Sequence, residues 1–396
     1  MIRAAAILLL FFAVGGTNAF AQLQGVAKVF GLRQPHAASD QLPQATLLSG
    51  SLRLGTTLRP TTDWSLELAA EHFRSFASPP FPAGDPTANA NRRLDLETAH
   101  DTSGHGRAYT AVDRLRLNWE GTDNALSLGR QAIGFGRIVL FSPLDVVAPF
   151  APDVIDSEFR PGVDAIRIRH FLPSGDDLGL HLVFGREARL NSYLVSGSGQ
   201  VAGIDLLGLA GSLRDRPMAG VGLAGDLGGL GWRVEASLFR GRRVGRTGGD
   251  PKETFGLAGV ELWYRFAGDL SLLVDYLYNG AGTGNPEDYP RVYASAPFAE
   301  GMIFLAGHHY LLAAPAWRAH PLVELRGLLI WNLGDASWQL RPLTVLSLAD
   351  NLELQLFWTL FRGEKPRQAA PLPVAVPRSE FGQFEDSGGL FLAWHF

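Results

Sequence analysis

The 396-residue chain contains no cysteine. That absence excludes disulfide staples, thiol chemistry, a lipid anchor on a lipobox cysteine and covalent haem of the Cys-x-x-Cys-His type. Lysine is nearly missing too: it stands only at Lys28, Lys252 and Lys365, and every other basic residue is arginine. The formal net charge of −4 leaves no basic excess, so the composition argues against a nucleic-acid binder. After residue 21 no uncharged apolar run reaches the roughly 18 residues a transmembrane helix needs. Catalytic signatures are absent as well: there is no Gly-x-Ser-x-Gly, no His-Glu-x-x-His, no phosphate-binding P-loop and no calcium-loop spacing. The Gly-Ser-Gly at 197–199 reads as a turn. His308 and His309, adjacent on one strand, fall on opposite faces and make a poor metal site. His170 reads as outward-facing, but no serine partner can be nominated for a barrel lipase. The sequence is read as a non-enzyme without cofactor or metal.

What is present is glycine, 46 residues of it, and aromatics at 10%. Both suit a curved sheet that crosses a membrane interface. The two ends agree. The chain finishes Leu390-Phe391-Leu392-Ala393-Trp394-His395-Phe396, an alternating strand that stops on an aromatic and resembles the ending of bacterial outer-membrane barrels. It begins with Arg3, an apolar stretch from Ala4 to Val14 too short to span a bilayer, and the small-x-small site Ala19-Phe20-Ala21. Residues 1–21 are therefore read as a signal peptide rather than a retained anchor, and 22–396 as one transmembrane domain.

Period-two segments bounded by Gly, Asp, Asn and Pro predict eighteen strands, over 24–33, 46–58, 63–74, 107–119, 124–131, 163–171, 178–185, 190–197, 201–211, 217–225, 230–240, 253–266, 268–278, 301–313, 320–332, 337–348, 352–361 and 387–396. The hairpin over 190–211 has the weakest alternation, and without it the count is sixteen. With strand one running outward from the periplasm, connectors such as 59–62, 120–123, 226–229 and 349–351 are periplasmic and short. Connectors 75–106, 132–162, 279–300 and 362–386 are external and long. Trp64, Trp119, Trp232 and Trp394 then mark one interface, and Trp331, Trp338 and Trp358 the other. The expected fold is all-β: a transmembrane antiparallel barrel of a bacterial outer membrane. A soluble sandwich would alternate too, but its polar faces would accept lysine freely, whereas here arginine dominates them.

Placing the apolar faces in lipid turns the polar faces into the lumen. Pore-lining candidates are Arg53, Glu67, Glu71, Arg114, Arg116, Arg167, Arg169, Arg233, Glu235 and Arg341, with Arg265, Arg326, Glu261, Asp275, Glu324 and Glu353 as further inward positions. Arginine suits an anion-selective lining because its fork stays charged and binds carboxylates or phosphates bidentately; equally, such arginines can cross-link strands to carboxylates. The alternation over 124–131 turns Arg130 outward unless a bulge intervenes. Loop 132–162 is too long and apolar to stand in water: Val146, Val147, Phe150, Val154, Ile155 and Phe159 call for burial. It is expected to fold into the barrel and narrow the pore. Its charged residues Arg137, Asp145, Asp153, Asp156, Glu158 and Arg160 are the constriction candidates, a surface lid or subunit contact being the alternative.

Leu128-Gly129-Arg130-Gln131, followed by Gly134, Gly136, Pro143 and Asp145, resembles the alginate-export-like group of outer-membrane porins, over mainly 126–170. The resemblance implies an eighteen-stranded, arginine-lined barrel that passes anionic polysaccharide or small anions. The same segment also resembles the porin-like sheath proteins of porin–cytochrome conduits, which implies a barrel enclosing a multihaem cytochrome partner. The partners expected are outer-membrane lipid and small anionic or polar solutes, with glycine-rich 196–230 as the place for a homo-oligomer contact.

Overall fold

The computed structural model describes residues 23–34, 45–81, 89–101, 104–246, 248–369 and 374–396. The expected signal peptide, 1–21, lies outside them. Its strands are β1 (Gln24–Arg33), β2 (Thr46–Leu58), β3 (Trp64–Phe81), β4 (Glu97–Asp101), β5 (Gly104–Glu120), β6 (Asn124–Gln131), β7 (Val163–Phe171), β8 (Asp177–Val183), β9 (Ser192–Val201), β10 (Ile204–Leu213), β11 (Arg216–Leu227), β12 (Leu230–Arg240), β13 (Thr254–Arg265), β14 (Leu270–Asn279), β15 (His309–His320), β16 (Val323–Asn332), β17 (Trp338–Ala349), β18 (Leu352–Arg362), β19 (Arg367–Ala369), β20 (Val374–Val376) and β21 (Ser387–His395). Eighteen of these close a ring by antiparallel pairing of neighbours; β4 is an extra piece of wall, and β19 and β20 form a separate hairpin. No helix among the described residues is long and apolar enough to cross a membrane, so the ring's closure is what satisfies the backbone.

The seam joins the first and last strands of the ring. β21 pairs with β1 from Val26 opposite His395 to Arg33 opposite Gly388. Gly25 and Phe396 then exchange both backbone hydrogen bonds, at 2.8 and 2.9 Å. The ring of Phe396 lies where a side chain on residue 25 would stand: a Cβ there would meet it at 2.3 Å. The terminal aromatic is thus seated on the first strand by a glycine.

The start of β1, the end of β21 and short turns such as 121–123, 202–203, 228–229 and 350–351 sit at one end of the ring; loops 132–162 and 280–308 sit at the other, together with the short connectors 214–215 and 333–337. Tight turns form where the chain accepts positive φ, as at Ala202-Gly203 and Gly228-Gly229, the geometry a two-residue hairpin demands. Outward positions carry exposed Leu48, Leu52, Val221, Leu238 and Leu356, an apolar belt. Trp64 and Trp394 are exposed at its turn end, Trp331 and Trp358 at its loop end. Over 196–230 the outer wall is a shallow apolar groove in which Gly197, Gly208, Ala210 and Ala219 lie among Leu178, Leu180 and Val195.

The count of eighteen holds, including the hairpin of weak alternation, now β9 and β10. One strand is misplaced in the sequence reading: 301–313 is expected, and β15 runs His309–His320 instead. The apolar residues Met302, Ile303, Leu305 and Ala306 that suggest a strand are buried inside the barrel as part of a loop. Pro315, which ordinarily ends a strand, occupies a gap in the ladder with β16.

Candidate pore and its inserted loops

The chain leaves the wall at the end of β6. Gly129 has φ +104°, and a Cβ there would lie 2.2 Å from the Leu115 carbonyl oxygen, so only glycine fits. Beyond it, Arg130 is fully buried. Its Nε donates to Asp164 at 2.8 Å, its Nη1 to Glu97 at 2.9 Å and to the Val112 carbonyl at 2.9 Å, and its Nη2 to the Leu94 carbonyl at 2.7 Å. Strand β4 covers this point, pairing with the edge of β5 beyond the last β6 pair. Arg130 therefore faces neither lipid nor lumen; it locks the seam where the loop departs.

Loop 132–162 then runs inside the barrel. It first follows β11 to β13. Glu235 accepts the backbone N–H groups of Arg137 and Ile138 at 2.5 and 3.1 Å and the Ser142 hydroxyl, and Glu261 accepts that of Val139 at 2.8 Å. Leu144 sits where Gly220 and Gly222 lack side chains: a Cβ on Gly220 would be 2.4 Å from it. The loop next crosses to β17 and β1. Arg341 donates to the Asp153 carbonyl, and Lys28 binds Asp156 at 2.8 Å and Glu158 at 2.9 Å. The Phe159 ring lies between two cations, 4.7 Å from Lys28 Nζ and 4.1 Å from the Arg53 guanidinium. On the way back, Arg114 donates to the Arg160 carbonyl at 2.6 Å, Asp113 accepts Gly162 N–H at 2.9 Å, and Arg160 braces the loop internally on Asp145 at 2.5 Å.

A second inserted segment, 280–308, carries the helical turns Tyr289–Tyr293 and Ala296–Ala299. Together the two segments make a hydrophobic core within the lumen. Ile133, Phe135, Phe141, Leu144, Val146, Val147, Met302, Ile303 and Leu305 pack there on inward residues of β7 through β16, such as Leu194, Phe239, Leu257 and Leu312. Each fully buried side chain of this size contributes about 1.5–3 kcal/mol, so this half of the lumen is filled. Polar staples close it from outside. Arg214 donates to the Val147 carbonyl of one segment and the Glu300 carbonyl of the other, both at 3.0 Å. Arg216 grips Asp250 at 2.7 and 2.6 Å. Glu380 accepts Ala306 N–H at 2.7 Å, Asn332 Nδ2 at 2.8 Å and the Tyr310 hydroxyl.

The opposite half, walled by β17, β18, β21, β1, β2, β3 and β5, keeps two chambers. The loop-side chamber, about 530 Å³, is lined by Phe30, Phe73, Tyr109, Glu71, Asp153 and Arg341 among others. The turn-side chamber, about 370 Å³, is lined by Arg53, Arg59, Glu67, Arg114, Thr57 and Phe159. Lys28 and Asp156 belong to the first and Arg53 and Phe159 to the second, so the clasped ring stands between them.

The sequence-derived candidates divide accordingly. Arg53, Glu67 and Arg114 line the turn-side chamber; Glu71, Arg341, Asp153 and Asp156 line the loop-side one. Arg116 pairs with Glu67 at 3.0 Å. Arg167 stands on β7 opposite His181, and Arg169 lies 4.0 Å from Asp177, both away from the chambers. Arg233 pairs with Glu261, and Glu235 holds the loop backbone, so these three anchor the filled half and do not border either chamber. Arg137 donates to the Leu206 carbonyl at 3.3 Å and lies 3.9 Å from Asp205. Arg265 pairs with Asp269 at a turn and Arg326 with Glu324, at 2.5 and 2.6 Å; Glu353 accepts from Gln355 at 2.8 Å, and Asp275 is sealed. His170 meets Asn124 and, among the described residues, no serine. Sequence reasoning misses Asp113, because alternation turns it outward. The β3–β5 ladder slips between Ala69 and Ala70, leaving Asp113 as the extra residue. Its carboxylate takes Arg53 at 3.0 Å, Arg92 at 3.2 Å and Arg114 at 2.6 Å.

No family model matches the chain, and no curated protein does. Solved structures do. OccAB2 of Acinetobacter baumannii superposes with a TM-score of 0.57 at 10% identity, over 95% of this chain and 98% of that one. OccK8 (OprE) of Pseudomonas aeruginosa gives 0.56 at 9% identity over the same shares. OccAB4 of A. baumannii gives 0.56 at 8%, again over 95% and 98%. At such identities the likeness is one of fold.

Proposed function

We propose that this chain is a passive channel of a bacterial outer membrane that carries small polar solutes, with anions favoured in the turn-side chamber. The observation that carries the reading is the pair of chambers, about 530 and 370 Å³, in line along the open half of a closed barrel and divided by Phe159. The apolar belt with tryptophans at both rims supports a bilayer location. The fold shared with outer-membrane porins supports the same reading. Chambers of this size suit small solutes rather than a threaded polysaccharide.

The anion preference rests on Arg53, Arg59 and Arg114 against Glu67 in the turn-side chamber. It is a mild preference, because Arg53 and Arg114 share Asp113. Arg59 is exposed, with no ion pair among the described residues, and its charge is the freest of the three. Arg59→Glu is expected to lower the anion-to-cation permeability ratio about twofold, a modest shift because water and salt screen an exposed charge. Reversal potentials across a salt gradient check it; an unchanged ratio would remove the arginines from the selectivity account. The sleeve reading fares worse: the barrel's own loops occupy the half of the lumen that an enclosed haem protein would need.

A further inference from the structure

The geometry points to the loop-side chamber as a binding site for small aromatic amines, solutes that join a ring to an ammonium group. This deepens the channel reading and rests on it. Two stacked ring pairs build the chamber wall. Phe30 lies on Phe357 with centroids 5.9 Å apart, and Phe73 on Tyr109 at 5.1 Å. Phe391 and Phe361 extend the aromatic surface. Ring faces attract a cation, and ring stacking favours a solute that is itself aromatic.

The charges select the sign. Glu71, Asp153 and Asp156 line the chamber together with Lys28 and Arg341. Both cations are already engaged. Lys28 is held by Asp156 and Glu158, and Arg341 by the Asp153 carbonyl and the Thr359 hydroxyl, the latter at 2.9 Å. Glu71 is the acid left over. Arg53 stands directly across the ladder from it but gives its guanidinium to Asp113. The Ser51 hydroxyl bonds Glu71, and no ion pair among the described residues reaches it. A half-buried carboxylate among ring faces, with no cation of its own, is satisfied by a ligand ammonium through a charge-assisted hydrogen bond. A benzoate-like anion would meet that same carboxylate and gain nothing from it. The volume, about 530 Å³, lies within the range of small-molecule sites.

The test is titration calorimetry on the full detergent-solubilised protein, with benzylamine and benzoate as probes at neutral pH. Benzylamine is expected to bind and benzoate not. Glu71→Gln, nearly isosteric, should weaken benzylamine at least about tenfold, the worth of one charge-assisted contact. Phe73→Leu should weaken it as well while keeping the wall apolar, and it serves if Glu71→Gln fails to give the barrel's heat-modifiable gel mobility. Equal binding of the two probes, or full affinity in these variants, overturns the inference. Because calorimetry does not depend on conduction, the two readings fail separately. A conducting pore indifferent to benzylamine loses only the site, and a non-conducting barrel that binds it loses only the channel.

Discussion

Phe159→Ala should raise single-channel conductance at least about twofold and admit larger sugars in liposome swelling. The ring is what divides a chamber of about 530 Å³ from one of about 370 Å³. Its position is doubly secured, by Lys28 and Arg53 against the ring and by the Lys28 bonds to Asp156 and Glu158, just before it in sequence. Removing the ring joins the chambers while leaving those ion pairs in place. Phe159→Leu keeps most of the bulk and loses only the cation contacts, so it should sit between wild type and alanine. Conductance unchanged in both variants would mean that ions pass elsewhere.

Arg130→Ala should cost the barrel about 3–5 kcal/mol, the range for breaking a buried ion pair and stranding its partners. Asp164 would remain nearly sealed without its cation, Glu97 would keep only Arg92, and the carbonyls of Val112 and Leu94 would each lose a donor. Arg130→Lys should recover little, since an ammonium cannot reproduce a fork that reaches four acceptors on separate strands and loop. Urea unfolding from lipid vesicles, followed by tryptophan fluorescence, measures the loss. A midpoint close to wild type would show that the seam is held by β4 pairing alone.

The barrel was legible in the sequence because lipid enforces its rules residue by residue. Leu352, Leu354, Leu356 and Trp358 alternate with Glu353, Gln355 and Thr359, and the same parity that exposes Trp358 turns Thr359 inward to Arg341. Alternation fails where the ladder slips or the chain turns from the wall. Asp113 is inward by a bulge, and Arg130 is sealed by a left-handed glycine and a covering strand that no local pattern announces. Residues 301–308 were misread because apolar side chains buried in a lumen and apolar side chains facing lipid look alike in sequence. The interior division was illegible for a related reason. Nothing in the spacing of Arg233, Glu235 and Arg167 distinguishes a wall that faces water from one that carries a loop. The contacts that decide it join residues about a hundred positions apart, such as Glu235 with Arg137.

The central claim is that conduction is confined to the half of the lumen between β17 and β5. Because the chain has no cysteine of its own, it can be tested one thiol at a time. Ser51→Cys lines the loop-side chamber, Thr57→Cys the turn-side chamber, and Ser196→Cys the wall beside His181 on the filled half. Each is exposed to a bulky methanethiosulfonate reagent while single-channel current is recorded. Stepwise block at residues 51 and 57, with current preserved at 196, is the outcome expected. Block at 196 with none at 51 or 57 would contradict the account.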